Sequence, residues 1–431
     1  MKSSELYALK KAKQLISTQI GILNYISKLP VLHGDPQLIA YGIYPCDSTR
    51  LGALRFSGRS SGCGYNWRDA ILSTLGEVVE RYCPTFYNRS AFIKSSYNQL
   101  DKPAVHPNDV ALFHPRQYEK FNFPFVPFSE DQEVHWAPCL DLKTGKERWF
   151  PASLIYLPWA EEEELIGLST STGLAAHTNF YKAVLNGLYE LVERDAFVMT
   201  WMHNIVPAKI LIAAEIESFL RRFYPPHYEY HFFDITYDIK LPTVLGMCFG
   251  KAEYGDFVAV GSACRSTFAE ALDKVIKEMG QAVSYFRYLL GVKRDWYPNR
   301  FEHVHNFEEH SIFYLKRTDL WHVFDVWRDA LPTKVIDFEE KRVNDERDEV
   351  KRILRLFVDC QCDILLKNLT TSDALEAGYH SVKVISPQLV QLGGDYNYYF
   401  LGGERLYDVP GKCGYQAKSF DRLNPYPHPF P

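Results

Sequence analysis

No apolar run in this sequence approaches the twenty or so residues that a membrane-spanning helix needs. The opening Met1-Lys-Ser-Ser-Glu-Leu-Tyr-Ala-Leu-Lys10 also lacks the apolar core of a signal peptide. A cytoplasmic location is the expectation. No C-x-x-C motif occurs. The 9 Cys are an odd count and scattered, and the one close pair, Cys360 and Cys362, has no His at zinc-like spacing. Neither a structural zinc nor a disulfide framework is expected, and loose thiols suit a reducing compartment. The phosphate-loop ending G-K-[S/T] and the dinucleotide fingerprint G-x-G-x-x-G are both missing. Positive charge is not in surplus either: the net charge is -5, which speaks against nucleic acid or acidic membranes as partners.

What is abundant is apolar and aromatic: 46% hydrophobic residues over 431 positions, with 28 Tyr and 28 Phe. That is ample for a core, and the aromatic share suits large interfaces or peptide-contacting surfaces. Apolar periodicity predicts a helix over 4–28, ended by Pro30, a strand at Leu38–Tyr44, and a Gly/Ser loop Arg55–Gly64. Val134–Leu142 and Trp149–Leu157 around Lys143-Thr-Gly-Lys146 predict a hairpin. Strands are predicted at 229–236, 243–249, 257–263, 363–368 and 380–386, and helices at 66–84, 179–203, 267–290 and 344–359. Alternation of β-runs with long helices indicates an α/β or α+β fold. Residues 1–50 are expected to form an N-terminal helix and strand packed on a main domain, 51–431. Residues 402–410 read as loop, and the Pro-rich 425–431 as extended polyproline II.

The predicted helices over 66–84 and 179–203 carry nearly the same motif. Ser73-x-x-x-Glu77-x-x-Glu80-Arg81 returns as Asn186-x-x-x-Glu190-x-x-Glu193-Arg194. Residues three and four apart share a helix face, so each copy sets a polar residue and two carboxylates in one row. Their neighbours, Leu75, Val78 and Val79, then Leu188, Leu191 and Val192, are apolar, so the rows are expected to be substantially buried. One such motif is ordinarily a salt-bridged helix face. Two in apolar helices bring together carboxylates that burial makes costly unless cations meet them. Arg81 and Arg194 supply part of that charge; Mg2+ with a phosphate-bearing ligand supplies the rest. A third helix adds Glu278-x-x-Gln281 on one face.

These segments, with Ser171-Thr-Gly-Leu-Ala-Ala, Trp201 and the ending Pro427-x-Pro429-x-Pro431, resemble the YcaO family of ATP-dependent enzymes that activate backbone amides. The terminal prolines are similar to those of its azoline-forming branch, and Gly-Gly-Glu404-Arg405-Leu to the segment before them. Two positions depart from the family pattern: Cys63, in Gly62-Cys63-Gly64 where G-K-G is usual, and Thr172, where Asn is usual. The resemblance implies a YcaO-type fold of β-sheets flanked by helices, with ATP bound in a cleft between the carboxylate-bearing helices. It implies Mg2+ held by Glu77, Glu80, Glu190 and Glu193. ATP contacts are implied for Ser73, Arg81, Ser171, Asn186, Arg194, Glu278 and Gln281, with Arg81 and Arg194 also on the phosphates during reaction. The carboxylate of Pro431 is implied as proton acceptor, with surface His428 of minor account. The implied activity is ATP-dependent cyclodehydration of Cys, Ser or Thr in a ribosomal precursor peptide to thiazoline or oxazoline, by phosphorylation of the backbone amide oxygen. Implied partners are that peptide, a separate leader-binding protein resembling ubiquitin-activating enzymes, and a flavin-dependent azoline dehydrogenase. Thioamide or amidine formation and a non-catalytic scaffold are the alternatives.

Overall fold

The computed structural model describes residues 9–55, 60–338, 340 and 345–430. Strands β1 (Leu23–Lys28), β2 (Ile39–Pro45) and β3 (Ser61–Gly64) lead into helix α1 (Trp67–Tyr82). Strands β4 (Ile93–Ser95), β5 (Val134–Asp141), β6 (Glu147–Pro151) and β7 (Leu174–His177) lead into α2 (Phe180–His203). Next come β8 (Ala208–Ile210), α3 (Ala214–Phe223), β9 (Glu229–Asp234), β10 (Thr243–Ala252), β11 (Gly255–Cys264) and α4 (Phe268–Val292). The remainder holds α5 (Phe307–Lys316), β12 (Pro332–Lys334), α6 (Glu346–Asp359), β13 (Leu365–Asn368), β14 (His380–Ile385) and α7 (Glu404–Lys412).

The strands form three sheets: β1-β2-β3, β11-β10-β9-β8-β12, and β4-β5-β13-β14-β7 with β6 beside β5. Every pairing between them is antiparallel except β8 with β12. The fold is therefore α+β, its helices laid on sheet faces, and no doubly wound parallel sheet is present among the described residues. The pairing of β2 with β3 runs across residue 50, joining the N-terminal segment to the strand that feeds α1.

Three units repeat one plan, a strand turning into a long helix: β3–α1, β7–α2 and β11–α4. Each helix starts at a side chain that accepts hydrogen bonds from otherwise unpaired backbone N–H groups of the first turn: Asn66, Asn179 and Thr267. Each is seated in its own apolar cluster. Leu75, Val78 and Val79 of α1 pack with Trp136 and Phe150. Leu185, Leu188 and Leu191 of α2 pack with Val382, Val384 and Phe357. Val275, Met279 and Val283 of α4 pack with Phe257 and Phe232.

The helix expected over 4–28 is corrected. Its first residues, 4–8, lie outside the described residues; 9–12 are helical, Lys13–Leu15 form one tight turn, and Leu23–Lys28 is strand. The break is at Gly21, where a Cβ would lie 2.3 Å from the Ser17 nitrogen as the chain doubles back and Ser17 N–H donates to the Leu23 carbonyl at 3.0 Å. In the Gly/Ser loop, 56–59 lie outside the described residues, and Ser61–Gly64 is the strand β3.

The loop expected at 402–410 is also corrected, since Glu404–Lys412 is helical with Pro410 inside it. A proline there deprives the Leu406 carbonyl of its intrahelical donor. His203 Nε2, at 2.6 Å, takes that place. The tail beyond ends in an extended segment whose residues 427–430 are buried. A polyproline II backbone makes no internal hydrogen bonds, so inside a core its carbonyls must be met by side chains. Four in succession are: Tyr396 O–H donates to Pro425 O (2.7 Å), Trp201 Nε1–H to Tyr426 O (2.9 Å) and Tyr314 O–H to Pro427 O (2.8 Å), while His310 Nδ1 meets His428 O (2.8 Å). The prolines contribute no N–H that would need a partner. His428 is thus no surface residue: it is 2% exposed and stacks on His310 with ring centroids 3.7 Å apart. Burial draws its pKa down to about 4, leaving it neutral.

Candidate active site

One cavity of about 2220 Å3 opens where α1, α2 and α4 meet. It receives Ser73, Glu77, Glu80 and Arg81 from α1, and Asn186, Glu190, Glu193 and Arg194 from α2. Glu278 and Gln281 come from α4, and Ser171 from the turn before β7. Every residue expected to contact metal or nucleotide lines this one cavity, whereas Trp201 and His428 do not, and Pro431 falls outside the described residues. The small residues before each helix have a steric reason. A Cβ on Gly62 would lie 2.3 Å from the Thr74 nitrogen, so β3 rides directly on α1. Gly173 has φ +81, and a Cβ there would come within 2.1 Å of the Val384 carbonyl oxygen. Cys63 is buried, and burial pushes its thiol up to about 12, so it stands here as a packed neutral group.

Each arginine leans on its own motif. Arg81 Nε is 3.9 Å from Glu80, and Arg194 is 3.4 Å from Glu190 and 3.6 Å from Glu193. The other face of the Arg194 guanidinium covers the Phe430 ring, 4.2 Å from its centroid, so the tail ends against the site. Gly173 N–H donates to Glu190 Oε2 (3.3 Å), and Gln281 Nε2 donates to Ser61 Oγ (2.7 Å), which ties α4 to β3.

The carboxylates are short of positive charge. Burial raises the Glu77 pKa, with Arg81 and Lys274 only partly offsetting it. Burial, reinforced by Glu190 and Glu77, pushes Glu80 up to about 8. Burial, reinforced by Glu278 and Glu190, pushes Glu193 up to about 7. Against its own burial, Arg81 is held in the charged form by Glu80, Glu77 and Glu190. Such a set invites a further cation.

Among the described residues no three His, Cys, Asp or Glu side chains converge closely enough to hold a metal by themselves. That suits Mg2+, which binds through one or two carboxylates and completes its shell with water and phosphate oxygens. The surrounding Arg81, Arg194, Arg265 and Lys274 line the same cavity and suit a polyphosphate. A single small-molecule site fills roughly 300–1000 Å3, so this cavity has room for a nucleotide and a second substrate.

Three contributors were missed in the sequence. Lys274 lies one turn before Glu278, to which it is paired, and extending the row 278, 281 backwards would have found it. Arg265, at the end of β11, sits over the Tyr189 ring at 5.5 Å and gave no local signal. Lys383, within the apolar run of β14, is 2% exposed behind the 169–173 turn. A lysine in the middle of a buried strand was the available clue.

A cavity ringed by carboxylates and guanidinium groups from three helices defines a protein that binds a metal–polyphosphate ligand. The chain belongs to the YcaO family: the family described as YcaO cyclodehydratase, ATP- and Mg2+-binding, matches residues 61–390. No curated protein matches by sequence. Among solved structures, a heterocyclase in complex with substrate and cofactor superimposes with a TM-score of 0.79 at 21% identity. That match covers 99% of this chain and 57% of the heterocyclase, so the chain spans little more than half of that protein's length. YcaO from Methanopyrus kandleri, bound with AMPPCP and Mg2+, gives a TM-score of 0.64 at 15% identity, covering 90% of this chain and 91% of that one. A chain of the E. coli microcin synthetase McbBCD complex gives 0.60 at 15% identity, covering 94% and 96%. These likenesses establish the fold. No helix among the described residues is long and apolar enough to cross a membrane.

Proposed function

We propose that this chain is an ATP-dependent cyclodehydratase that converts Cys, Ser or Thr of a ribosomal precursor peptide to thiazoline or oxazoline. The observation that carries the reading is the convergence of both E-x-x-E-R rows, Glu278 and Gln281 on one cavity large enough for nucleotide and peptide together. MgATP supplies the phosphoryl group that lets the amide oxygen depart as phosphate after the side-chain nucleophile has added to the preceding carbonyl. Glu77, Glu80, Glu190 and Glu193 would hold Mg2+ singly or in pairs, with water and phosphate oxygens completing the shell. Arg81 and Arg194 neutralise phosphate oxygens and keep those carboxylates oriented, which is most of what phosphoryl transfer asks of a protein. Ser73, Ser171, Asn186 and Gln281 orient the nucleotide by hydrogen bonds. The tail, fixed by four carbonyl contacts, closes one wall beside Arg194 through Phe430, and Pro431 is the proposed proton acceptor.

A leader-binding protein resembling ubiquitin-activating enzymes is proposed to present the peptide, with a flavin-dependent dehydrogenase acting afterwards. The test is mass spectrometry of a Cys/Ser/Thr-rich precursor incubated with this chain, its leader-binding partner and MgATP. ATP-dependent loss of one water per modified residue is expected. A mass change matching sulfur or amine incorporation, or no change with a precursor bound by the complex, would overturn the azoline reading.

A further inference from the structure

Lys383 is a buried amine behind the site rather than in it. It sits in the middle of β14, opposite Leu174 of β7, and is 2% exposed. Its Nζ donates to Ser169 Oγ at 3.1 Å and to the Thr170 carbonyl at 2.5 Å. No carboxylate among the described residues lies within ion-pairing distance of it, and burial draws its pKa down to about 7, with Glu190 and Glu80 offsetting this only in part through space. An amine buried without a touching counter-ion lowers stability, and an apolar side chain of equal length would fill the same slot without that penalty. The arrangement is costly as packing and needs another reason.

That reason lies in what Lys383 holds. Ser169, Thr170, Ser171 and Thr172 line the cavity, while the lysine itself does not. The turn is pinned at Thr170 by Lys383 from behind and by Gln391, which accepts from Thr170 Oγ1 at 2.7 Å. It closes at Gly173, whose N–H donates to Glu190. A continuous path of bonds therefore leads from the amine to a carboxylate assigned to the metal.

We propose that Lys383 is a positioning residue for the reaction: its amine, donating to Ser169 Oγ and the Thr170 carbonyl, fixes the 169–173 turn, and with it the Ser171 hydroxyl and the Glu190 carboxylate. This rests on the reading of the cavity as an MgATP site. Replacing it with an apolar side chain of similar volume is expected to keep the fold and loosen the wall.

The experiment compares wild type with Lys383→Met and Ser169→Ala, measuring melting temperature without ligand, MgAMPPCP affinity by calorimetry, and kcat and KM for MgATP. For Lys383→Met the expected result is a melting temperature equal to or above wild type, with kcat/KM for MgATP lower by more than threefold and centred near tenfold. Ser169→Ala, which keeps the amine and the carbonyl contact, should lose less than Lys383→Met. A lower melting temperature accompanying the loss would mark Lys383 as merely structural and overturn the proposal. So would kcat/KM within threefold of wild type. A wild-type protein that binds no MgAMPPCP would remove the MgATP reading and this inference with it, a failure visible before either variant is measured.

Discussion

Binding of a magnesium nucleotide should expel protons from this protein, in a number set by two carboxylates. Glu80 stands at about 8 and Glu193 at about 7, both above the ordinary glutamate value of 4.5. A folded pKa raised above the unfolded one contributes stability that is complete below the unfolded pKa and is lost as pH rises through the folded pKa. The ligand-free protein should therefore lose stability steadily between about pH 4.5 and pH 8 from these two groups, and no further above that. Mg2+ requires the ionised carboxylates, so binding must displace whatever protons remain. Near pH 6.5 both carboxyls are largely protonated, so between about one and two protons should be released per nucleotide, and near pH 8.5 fewer than about one. Over that interval affinity should rise by at least about tenfold. The assay is titration calorimetry with preformed MgAMPPCP in buffers of different ionisation enthalpy. Glu80→Gln should cut the release at pH 6.5. No proton release at pH 6.5, or an affinity flat between pH 6.5 and pH 8.5, would refute the assignment of these carboxylates to the metal.

Glu80→Gln and Glu193→Gln should each lower ATP turnover by at least about a hundredfold, while the ligand-free melting temperature near pH 6.5 holds, because there the amide replaces a carboxyl that is already largely protonated. Wild-type turnover in both would sink the metal assignment. Phe430→Ala removes a ring that is 3% exposed and packed on Phe197 and Arg194, and should cost about 3–5 kcal/mol in urea denaturation together with a fall in kcat. Unchanged kcat in the folded variant would separate the tail from the site. Gly173→Ala forces a Cβ into the Val384 carbonyl from a left-handed backbone and should destabilise by more than about 2 kcal/mol. A melting temperature equal to wild type would mean that the turn before β7 rearranges freely.

The site was legible because its chemistry is local. The expected helices 66–84 and 179–203 are observed as Trp67–Tyr82 and Phe180–His203, each with an asparagine cap and apolar flanks around the acidic row. What escaped was set by distant partners. The helix over 4–28 failed because Leu23 and Ile26 fit either periodicity, and the pairing of β1 with β2 decides between them. Helix α7 hid behind Pro410, which is tolerated because His203, some two hundred positions earlier, meets the freed carbonyl. Nothing in Asn424-Pro-Tyr-Pro-His-Pro-Phe430 announces that Trp201, Tyr314, His310 and Tyr396 will meet its carbonyls. Lys383 looked like one polar break in a strand, and its burial exists only once α1 and the 169–173 turn close over it.

The three acidic helices are rooted in separate apolar clusters, α1 with Trp136, α2 with Val384 and α4 with Phe257. Mutual repulsion among their carboxylates works against these clusters staying together, and the ligand is the element that all three helices share. Ligand-free protein should accordingly come apart in more than one step, each cluster melting with its own helix. With the magnesium nucleotide bound, the same chain should unfold as a single cooperative body. The nucleotide would then serve as a fuel for the reaction and also as a further structural tie among the three helices.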